Sequence, residues 1–201
     1  MKINFNNNTK GKLKLHFKES IKFLGRFAKS PRKIGSVTPS SKFLTKAMLE
    51  RVDWENANFI AELGAGTGVF TREIVKLAKP DAKILVFEID PSLQKMIKDE
   101  HPNHKGLTIH SDAQELLKIM NENGIEKLDF VISSLPFTVL PPKMSVKILN
   151  AALAGLKPNG HFVAYQYSSI MKHVLQKKFS HIKTKFVPLN IPPAFVYDCW
   201  R

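Results

Sequence analysis

Short apolar segments alternate with amphipathic segments from about residue 57 to the end of the chain. The apolar segments have the length of strands and lie near 58–64, 83–90, 106–112, 128–135 and 160–167. The amphipathic segments have the periodicity of helices and lie near 69–79, 92–100, 114–123, 142–156 and 169–178. Repeated strand–helix units of this kind predict a mostly parallel sheet with helices packed against it. Two more strands, near 182–189 and 194–200, follow without a long helix between them and predict a hairpin-like end to the sheet.

The N-terminal segment has a different pattern. Residues 1–10 show no periodicity and are expected to form a disordered lead. From Gly11 to Lys29, apolar residues recur at steps of four, four, three and three, which is the spacing of one helical face. The apolar positions are Leu13, Phe17, Ile21, Leu24 and Phe27. Lys and Arg occupy many of the other positions, so the segment predicts a basic amphipathic helix.

Local signals set the ends of the predicted N-terminal helices. Ser30-Pro31 is expected to end the basic helix, because the residue before a proline is disfavoured in the α region. A second helix is expected to begin with Ser40 or Ser41 as its N-cap and to run to about Arg51.

Length and composition fit one domain with an appendage. The chain has 201 residues, of which 43% are hydrophobic, enough for one substantial core but not for two. We divide it into the lead at 1–10, a helical extension at 11–56 and one α/β domain at 57–201.

The formal net charge of +14 is concentrated in the N-terminal extension. Residues 1–51 hold 13 Lys and Arg against two acids, a net charge of +11, which leaves +3 for residues 52–201. A basic segment of this size predicts attraction to a polyanion, either nucleic acid or an anionic membrane surface.

The number of cysteines and the length of the apolar runs indicate the expected cellular location. Cys199 is the single cysteine, which excludes an internal disulfide, and no signal-peptide pattern begins the chain, so we expect a cytoplasmic protein. The apolar runs are shorter than the roughly 20 residues that a membrane span needs. The chain is expected to lie on the inner face of the membrane without crossing it. The histidines show no metal-ligand spacing with Cys199, so no metal is expected.

A glycine-rich motif follows the first predicted strand. Gly64, Gly66 and Gly68 stand between an apolar strand and a predicted helix, within Glu62-Leu63-Gly64-Ala65-Gly66-Thr67-Gly68. Glycines allow a sharp turn and close approach of a ligand to the backbone, and the following helix presents free N–H groups. The motif alone also fits an ordinary turn of any dinucleotide-binding fold.

Acids at the next two strand ends make the glycine motif more specific. Glu88 ends the second strand about 20 residues after the last glycine, at the position that grips a ribose diol. Asp112 follows the third strand, within reach of an adenine amino group. Three successive strand ends with suitable groups predict an adenosine site.

The glycine motif and the segments at the following strand ends resemble successive motifs of class I methyltransferases. These segments are Phe87-Glu88-Ile89-Asp90, Ser111-Asp112-Ala113 and Leu156-Lys157-Pro158-Asn159-Gly160. The resemblance implies a Rossmann-like seven-stranded α/β sheet with its last strand antiparallel. It also implies S-adenosyl-L-methionine as cofactor and S-adenosyl-L-homocysteine as product. In that family Glu62 would face the methionine amino group, Glu88 would hold the ribose, and Asp112 with Ala113 would border the adenine. The remaining expected cofactor contacts are Gly64, Ala65, Gly66, Thr67, Gly68, Ile89, Ser134, Leu135 and Ser36.

The end of the fourth strand bears on the substrate. Enzymes that methylate nucleobase amines usually present Asn or Asp before Pro-Pro or Leu-Pro and an aromatic residue. Here the segment is Ser133-Ser134-Leu135-Pro136-Phe137, so Ser134 stands in place of the amide or acid. This departure, and the lack of a helical C-terminal domain, weaken a resemblance to the ribosomal RNA adenine dimethylases.

A resemblance to the bacterial phospholipid N-methyltransferases covers more of the chain. It rests on Ile34-Gly35-Ser36-Val37-Thr38-Pro39-Ser40-Ser41, Ser134-Leu135-Pro136 and Asn190-Ile191-Pro192-Pro193-Ala194-Phe195-Val196-Tyr197. It implies stepwise conversion of phosphatidylethanolamine towards phosphatidylcholine. The basic helix at 11–29 would then hold the enzyme on an anionic membrane surface. The alternative is that its apolar face packs on the protein's own core as a lid.

Methyl transfer to nitrogen needs a neutral amine held near the methyl group, so catalysis is mostly positioning. An alkyl ammonium has a pKa near 10.4, so the substrate must lose a proton first. Candidate acceptors or orienting groups are Ser134, Tyr165, Tyr167 and Tyr197. The tyrosines could instead only fill the pocket, or stabilise a methylated ammonium with their ring faces.

Two alternatives remain open. The first is an adenine N6-methyltransferase of ribosomal RNA or DNA, in which the basic segment grips phosphates and Phe137 stacks on the flipped base. The second is a protein that keeps the fold but only senses S-adenosylmethionine. Ser134 and the periodicity of residues 13–27 favour a lipid substrate, with no nucleic acid partner.

Overall fold

Seven strands form one sheet in the computed structural model, which describes residues 41–201. The strands are β1 Phe59–Leu63, β2 Lys83–Phe87, β3 Leu107–His110, β4 Leu128–Ser133, β5 Leu156–Gln166, β6 His181–Val187 and β7 Ala194–Trp200. The helices are α1 Lys42–Leu49, α2 Val69–Leu77, α3 Pro91–Glu100, α4 Leu116–Glu122, α5 Pro142–Gly155 and α6 Met171–Gln176. The predicted lead at 1–10, the basic helix at 11–29 and Ser36 lie outside the described residues.

The strand order is β3-β2-β1-β4-β5-β7-β6. The strands from β3 to β5 run parallel, whereas β7 is antiparallel to both of its neighbours, β5 and β6. This confirms the predicted Rossmann-like sheet and its antiparallel last strand. Because β2 and β4 flank β1, the order reverses at β1, and a crevice opens there at the carboxyl ends of the strands.

Helices cover both faces of the sheet. Side chains of α1, α2 and α3 form one core with residues such as Ile60 and Ile84. Side chains of α4, α5 and α6 form a second core with Ala61, Leu63 and their neighbours. Successive residues of β1 alternate between the two cores, as expected for a strand buried on both faces.

The predicted second helix is α1, and Ser41 is its N-cap. The hydroxyl of Ser41 accepts a hydrogen bond of 3.2 Å from the N–H of Leu44. Leu44 and Met48 are fully buried in the core that contains β1, so α1 packs as part of the sheet domain. Among residues 41–201, no helix has both the length and the apolar character that crossing a bilayer requires.

Strand β5 begins at Leu156, four residues before its predicted start. Leu156 pairs with Leu128, and the register between β4 and β5 then shifts before Phe130 pairs with His161. An irregularity of this kind bends a strand locally without ending it. Periodicity alone assigned Leu156 to the preceding helix and residues 157–159 to no element, because the bulge interrupts the alternation of the strand.

Asp129 lies at this bulge and organises the start of three strands. Its Oδ2 accepts hydrogen bonds of 2.9 Å from the N–H groups of both Asn58 and Phe59, at the beginning of β1. Its Oδ1 pairs with the ammonium of Lys157 in β5. One carboxylate therefore aligns β1, β4 and β5 at the amino edge of the sheet.

Asp129→Ala is expected to lower the free energy of unfolding by about 3 kcal/mol, because two backbone N–H groups lose a charged acceptor. Asp81→Ala removes an exposed carboxylate that has no hydrogen bond or ion pair with the side chains of residues 41–201, and it is expected to change stability by less than about 0.5 kcal/mol. Urea unfolding of both variants tests the expectation, and equal losses would contradict it.

Candidate active site

A sharp turn joins β1 to α2. Gly64, Gly66 and Gly68 have φ angles of 81°, 57° and 74°, in the left-handed region that favours glycine. The N–H of Gly64 donates a hydrogen bond of 2.8 Å to the carbonyl of Phe87, which ties the turn to the end of β2. A Cβ added at Gly64 would lie 2.8 Å from Cδ2 of Leu135. Glycine at this position therefore lets the loop between β4 and α5 approach the turn.

Glu62 lies in β1 with its side chain completely buried. Its Oε2 accepts a hydrogen bond of 2.6 Å from the hydroxyl of Thr71 in α2, whereas its Oε1 is buried without a hydrogen-bond partner. Burial raises the pKa of this carboxyl to about 7, the hydrogen bond from Thr71 opposes the shift, and nearby Glu88 adds to it. A cation that donates a hydrogen bond to Oε1 would satisfy both the oxygen and the charge.

Glu88 connects the end of β2 to the glycine turn. Its Oε2 accepts a hydrogen bond of 2.7 Å from the N–H of Gly66, and its Oε1 accepts one of 2.9 Å from the N–H of Asp90. Burial raises the pKa of Glu88, and these backbone N–H groups oppose the shift. Each oxygen keeps further lone-pair capacity for a ligand hydroxyl. Ile89 lies between Glu88 and Asp90 in the chain.

Asp112 and Ala113 follow β3 at the same edge of the sheet. The Oδ1 of Asp112 accepts a hydrogen bond of 2.8 Å from the N–H of Gln114 and begins the short 3-10 helix Ala113–Glu115. The side chain of Gln94 in α3 donates to the carbonyl of Glu88 and, at 3.2 Å, to the hydroxyl of Ser111. Gln94 thus holds the ends of β2 and β3 together.

The end of β4 lies against the glycine turn. The N–H of Ser134 donates a hydrogen bond of 2.9 Å to the carbonyl of Leu63, and the hydroxyl of Ser134 is buried without a partner. The carbonyl of Leu135 accepts a hydrogen bond of 2.8 Å from the side chain of Gln166, at the end of β5. Ser134 and Leu135 therefore stand between the turn and β5.

Two tyrosines extend the site along β5. The ring centroid of Tyr165 lies 6.0 Å from that of Phe70, in the first turn of α2, and 5.6 Å from that of Tyr167. Burial raises the pKa of Tyr167 above its usual range, and Tyr165 adds to this shift. Tyr167 is therefore a neutral phenol at physiological pH. Through Phe70 the pair lies beside the glycine turn.

Two aromatic residues with candidate roles lie in the core instead. Tyr197 is fully buried, and its hydroxyl donates to the carbonyl of Ser168 at 3.4 Å. Phe137 is buried, and its ring lies 6.2 Å from that of Phe162. Tyr197 is therefore no candidate for orienting the amine, and Phe137 has no open face on which a base could stack.

The sequence pattern missed the role of Asn190. Its Oδ1 accepts a hydrogen bond of 3.0 Å from the N–H of Ser41, and its Nδ2 donates one of 2.7 Å to the carbonyl of Pro192. Its side chain also opposes the shift in the pKa of Tyr167. Asn190 thus joins the start of α1, the β6–β7 loop and the tyrosine pair. Its place in the motif at 190–197 was the available signal, but nothing local indicated a contact with residue 41.

The arrangement combines a cofactor half and an acceptor half at one edge of the sheet. Glu62, Glu88 and the glycine turn form the first half, and Ser134 with the two tyrosines forms the second. Within residues 41–201, no group of three His, Cys, Asp or Glu side chains could hold a metal ion.

Comparison with known proteins gives the same fold and chemistry. A family model described as "Methyltransferase domain" matches residues 60–160. The ornithine lipid N-methyltransferase of Singulisphaera acidiphila is 32% identical over 184 residues, covering 90% of this chain and 96% of that protein. The ribosomal RNA small subunit methyltransferase A of Clostridium acetobutylicum is 34% identical over 106 residues, covering 51% of this chain and 36% of that protein.

A solved structure resembles the model over most of its length. The N-methyltransferase NodS from Bradyrhizobium japonicum, in complex with S-adenosyl-L-homocysteine, has a TM-score of 0.66 and covers 90% of this chain. This chain covers 97% of NodS, at a sequence identity of 11%. At that identity the likeness shows a shared fold.

Gly64→Ala is expected to lower the free energy of unfolding by about 3 kcal/mol, because strain in the left-handed backbone adds to overpacking against Leu135. Gly66→Ala is expected to cost about 1 kcal/mol, since a Cβ there meets nothing within 4 Å and only the backbone strain remains. Urea unfolding of the two variants measures the difference, and an equal loss at both positions would show that Leu135 does not restrict the turn.

Proposed function

Because the chain belongs to the class I S-adenosylmethionine-dependent methyltransferases, we propose that it methylates the head-group amine of a membrane lipid. Stepwise conversion of phosphatidylethanolamine towards phosphatidylcholine is the proposed reaction, and an ornithine lipid is the related substrate to compare. The observation that carries the proposal is the 32% identity to an ornithine lipid N-methyltransferase, which extends over 96% of that protein. The match to the ribosomal RNA methyltransferase covers only 36% of that enzyme.

The residues of the cofactor half fit S-adenosylmethionine. The unpartnered Oε1 of Glu62 suits the ammonium of the methionine part. The space beside Gly66 allows a ligand to approach the backbone, and Glu88 has lone pairs for ribose hydroxyls. When bound, the cofactor supplies an electrophilic methyl group on a sulfonium. Asp112 and Ala113 would border its adenine, and Ser36, outside the described residues, would complete the contacts.

Residues of the acceptor half would position the lipid amine. The hydroxyl of Ser134 is buried and unpartnered next to the glycine turn, so it can accept a hydrogen bond from an amine N–H. The raised pKa of Tyr167 makes its phenol a hydrogen-bonding group and not a phenolate base. The rings of Tyr165 and Tyr167 would stabilise the positive charge that grows on a methylated nitrogen.

Two features favour lipid over nucleic acid. Phe137, the residue available for base stacking in the RNA alternative, is buried against Phe162. Apolar residues recur at helical spacing in the basic segment at 11–29, and the apolar face that this spacing predicts would be stabilised by a membrane interface and not by a phosphate backbone. In the proposed function this segment anchors the enzyme peripherally on an anionic membrane, and residues 57–201 carry the reaction.

The direct test is transfer of labelled methyl from S-adenosylmethionine by the full chain. Liposomes of phosphatidylethanolamine with anionic lipid, liposomes with ornithine lipid and unmethylated structured RNA are the three acceptors. We expect label in lipid and its loss on deletion of residues 1–29. Label in RNA alone would contradict the proposed function, and label in ornithine lipid alone would replace phosphatidylethanolamine as substrate.

Tyr167→Phe and Ser134→Ala are expected to lower kcat/KM for lipid methylation by about tenfold each, because a hydrogen bond that orients the amine is lost. In Tyr167→Phe, the affinity for S-adenosylmethionine, measured by calorimetry, should change by less than about twofold. Tyr197→Phe is the matched control, since its hydroxyl lies in the core. A similar loss in Tyr197→Phe would assign the effect to stability and not to positioning.

The raised pKa of Glu62 predicts how the affinity for S-adenosylmethionine depends on pH. Its pKa of about 7 leaves it largely uncharged below that pH, where it cannot neutralise an ammonium. The Kd for S-adenosylmethionine is therefore expected to rise by up to about tenfold per pH unit below pH 7. Glu62→Gln should bind more weakly at pH 7.5 and lose this dependence. Calorimetry without lipid, between about pH 5.5 and 7.5, measures both proteins below the usual pKa of the cofactor's own α-amino group.

The pH dependence of the free energy of unfolding without cofactor tests the raised pKa of Glu62 independently. The unfolded chain ionises Glu62 near pH 4.5, whereas the folded chain keeps its proton until about pH 7. Glu62 therefore destabilises the folded protein progressively as the pH rises across this window. Glu62→Gln should gain stability relative to the parent from about pH 4.5 to about pH 7 in urea unfolding. A difference that does not depend on pH would contradict the raised pKa.

A further inference from the structure

Three loops form a continuous surface at the carboxyl edge of the sheet. They join β4 to α5, β5 to α6 and β6 to β7, and we call residues 134–141, 167–170 and 188–193 the loop surface. Because β4, β5, β7 and β6 are consecutive in the sheet, these loops lie side by side. The bond from Gln166 to the carbonyl of Leu135 ties the first loop to the end of β5.

Aliphatic side chains point into solvent from each loop. Ile170, Leu189 and Ile191 are exposed by 68%, 62% and 62%, and Val139 by 53%. A neighbouring group of exposed apolar residues is unusual on a water-facing surface and marks an interaction site. The loops surround Ser134 and Tyr167, so the apolar residues frame the entrance to the acceptor half of the site.

The part of the chain that contains the loop surface, residues 130–197, carries charge of a single sign. Residues 130–197 contain no Asp or Glu but eight lysines. These are Lys143, Lys147, Lys157, Lys172, Lys177, Lys178, Lys183 and Lys185. Lys143 and Lys172 lie in the first turns of α5 and α6, directly behind the exposed loops. Aliphatic tips with lysines behind them match the acyl region and the anionic head groups of a bilayer.

We propose that the loop surface docks on an anionic lipid bilayer, with Ile170, Leu189 and Ile191 inserted and Lys143 and Lys172 at head-group level. This rests on the proposed function and adds a second contact to the one expected at 11–29. The lipid amine then reaches Ser134 and Tyr167 without leaving the head-group plane. RNA could contact the lysines through its phosphates, but exposed aliphatic side chains would not stabilise its binding.

The chain's own N-terminal segment is the other possible occupant. Asn190 binds the N–H of Ser41, so the first described residue lies beside the loop surface, and residues 1–40 precede it in the sequence. Residues 1–40, however, hold ten Lys and Arg against Glu19. Their net charge has the same sign as that of Lys143 and Lys172 behind the loop surface. Like charges favour an arrangement in which both meet one anionic membrane.

Site-specific labelling in the full chain tests the proposal. Cys199 is the single cysteine and is fully buried, so a cysteine introduced on the surface is labelled selectively. An environment-sensitive dye is attached to Ile170→Cys, to Leu189→Cys and, as a control, to Leu77→Cys. Leu77 is 46% exposed at the end of α2, on the opposite edge of the sheet.

Vesicles of phosphatidylcholine with and without phosphatidylglycerol are the probe. We expect the dyes at 170 and 189 to shift to the blue and brighten about twofold on the anionic vesicles, and the dye at 77 to stay unchanged. An equal response at all three positions, no response, or a response to structured RNA but not to vesicles would overturn the proposal. A dye at 189 that is blue-shifted without lipid, and red-shifts when residues 1–29 are deleted, would assign the surface to the chain's own segment.

Methyl transfer in detergent–lipid micelles separates this proposal from the proposed function. If the protein methylates lipid in micelles but the dyes at 170 and 189 do not respond to vesicles, only the proposed docking of the loop surface is overturned. Absence of lipid methylation in micelles and vesicles alike would overturn the proposed function.

Discussion

The hydrogen bond from the N–H of Gly66 to the carboxylate of Glu88 is the contact on which the site depends. It joins the left-handed turn after β1 to the end of β2, so the two central pieces of the cofactor half have one geometry. The same turn allows Leu135 to approach Gly64, which brings the end of β4 into the site. The carbonyl of Leu135 then holds Gln166 at the end of β5. Cofactor half and acceptor half are thus connected by direct contacts.

Burial of two carboxyl groups has an electrostatic cost. The charge of Glu88 raises the pKa of Glu62 further, and the charge of Arg72 opposes this shift. Buried charged groups with shifted pKa values are common at functional sites, where a bound ligand can neutralise the charge. A cationic cofactor would do so here, because its ammonium would favour the charged form of Glu62. Cofactor binding and stability of the free protein are therefore linked through one titrating group.

The two halves of the carboxyl edge differ in charge. Glu88, Asp90 and Asp112 stand at the ends of β2 and β3, whereas residues 130–197 carry no acid. The acidic half suits a cofactor with a cationic ammonium and ribose hydroxyls. The acid-free half suits an approach to anionic lipid, which acids would oppose. This division follows the strand order, since β1 lies between the two halves.

Local sequence determined the elements and indicated the residues of the candidate cofactor half. The strand–helix alternation, the glycine turn and the N-cap Ser41 depend on neighbours along the chain, so periodicity and spacing could predict them. The antiparallel β7 came from family resemblance, and the order of the strands came only from the structure, because pattern alone does not set which strands pair. The basic segment at 11–29 and the placement of Ser36 stay predictions.

Tertiary structure decided which side chains reach the acceptor half. Tyr165 pairs with Val196 and Tyr197 with Ala164, so register places the two tyrosines on opposite faces of the sheet. The contact of Asn190 with Ser41 joins residues 149 positions apart. Neither follows from sequence, because one step of register exchanges every side chain between the faces of a strand. The sequence alone therefore identified the cofactor and the class of reaction, while the packing of distant strands selected the residues around the acceptor.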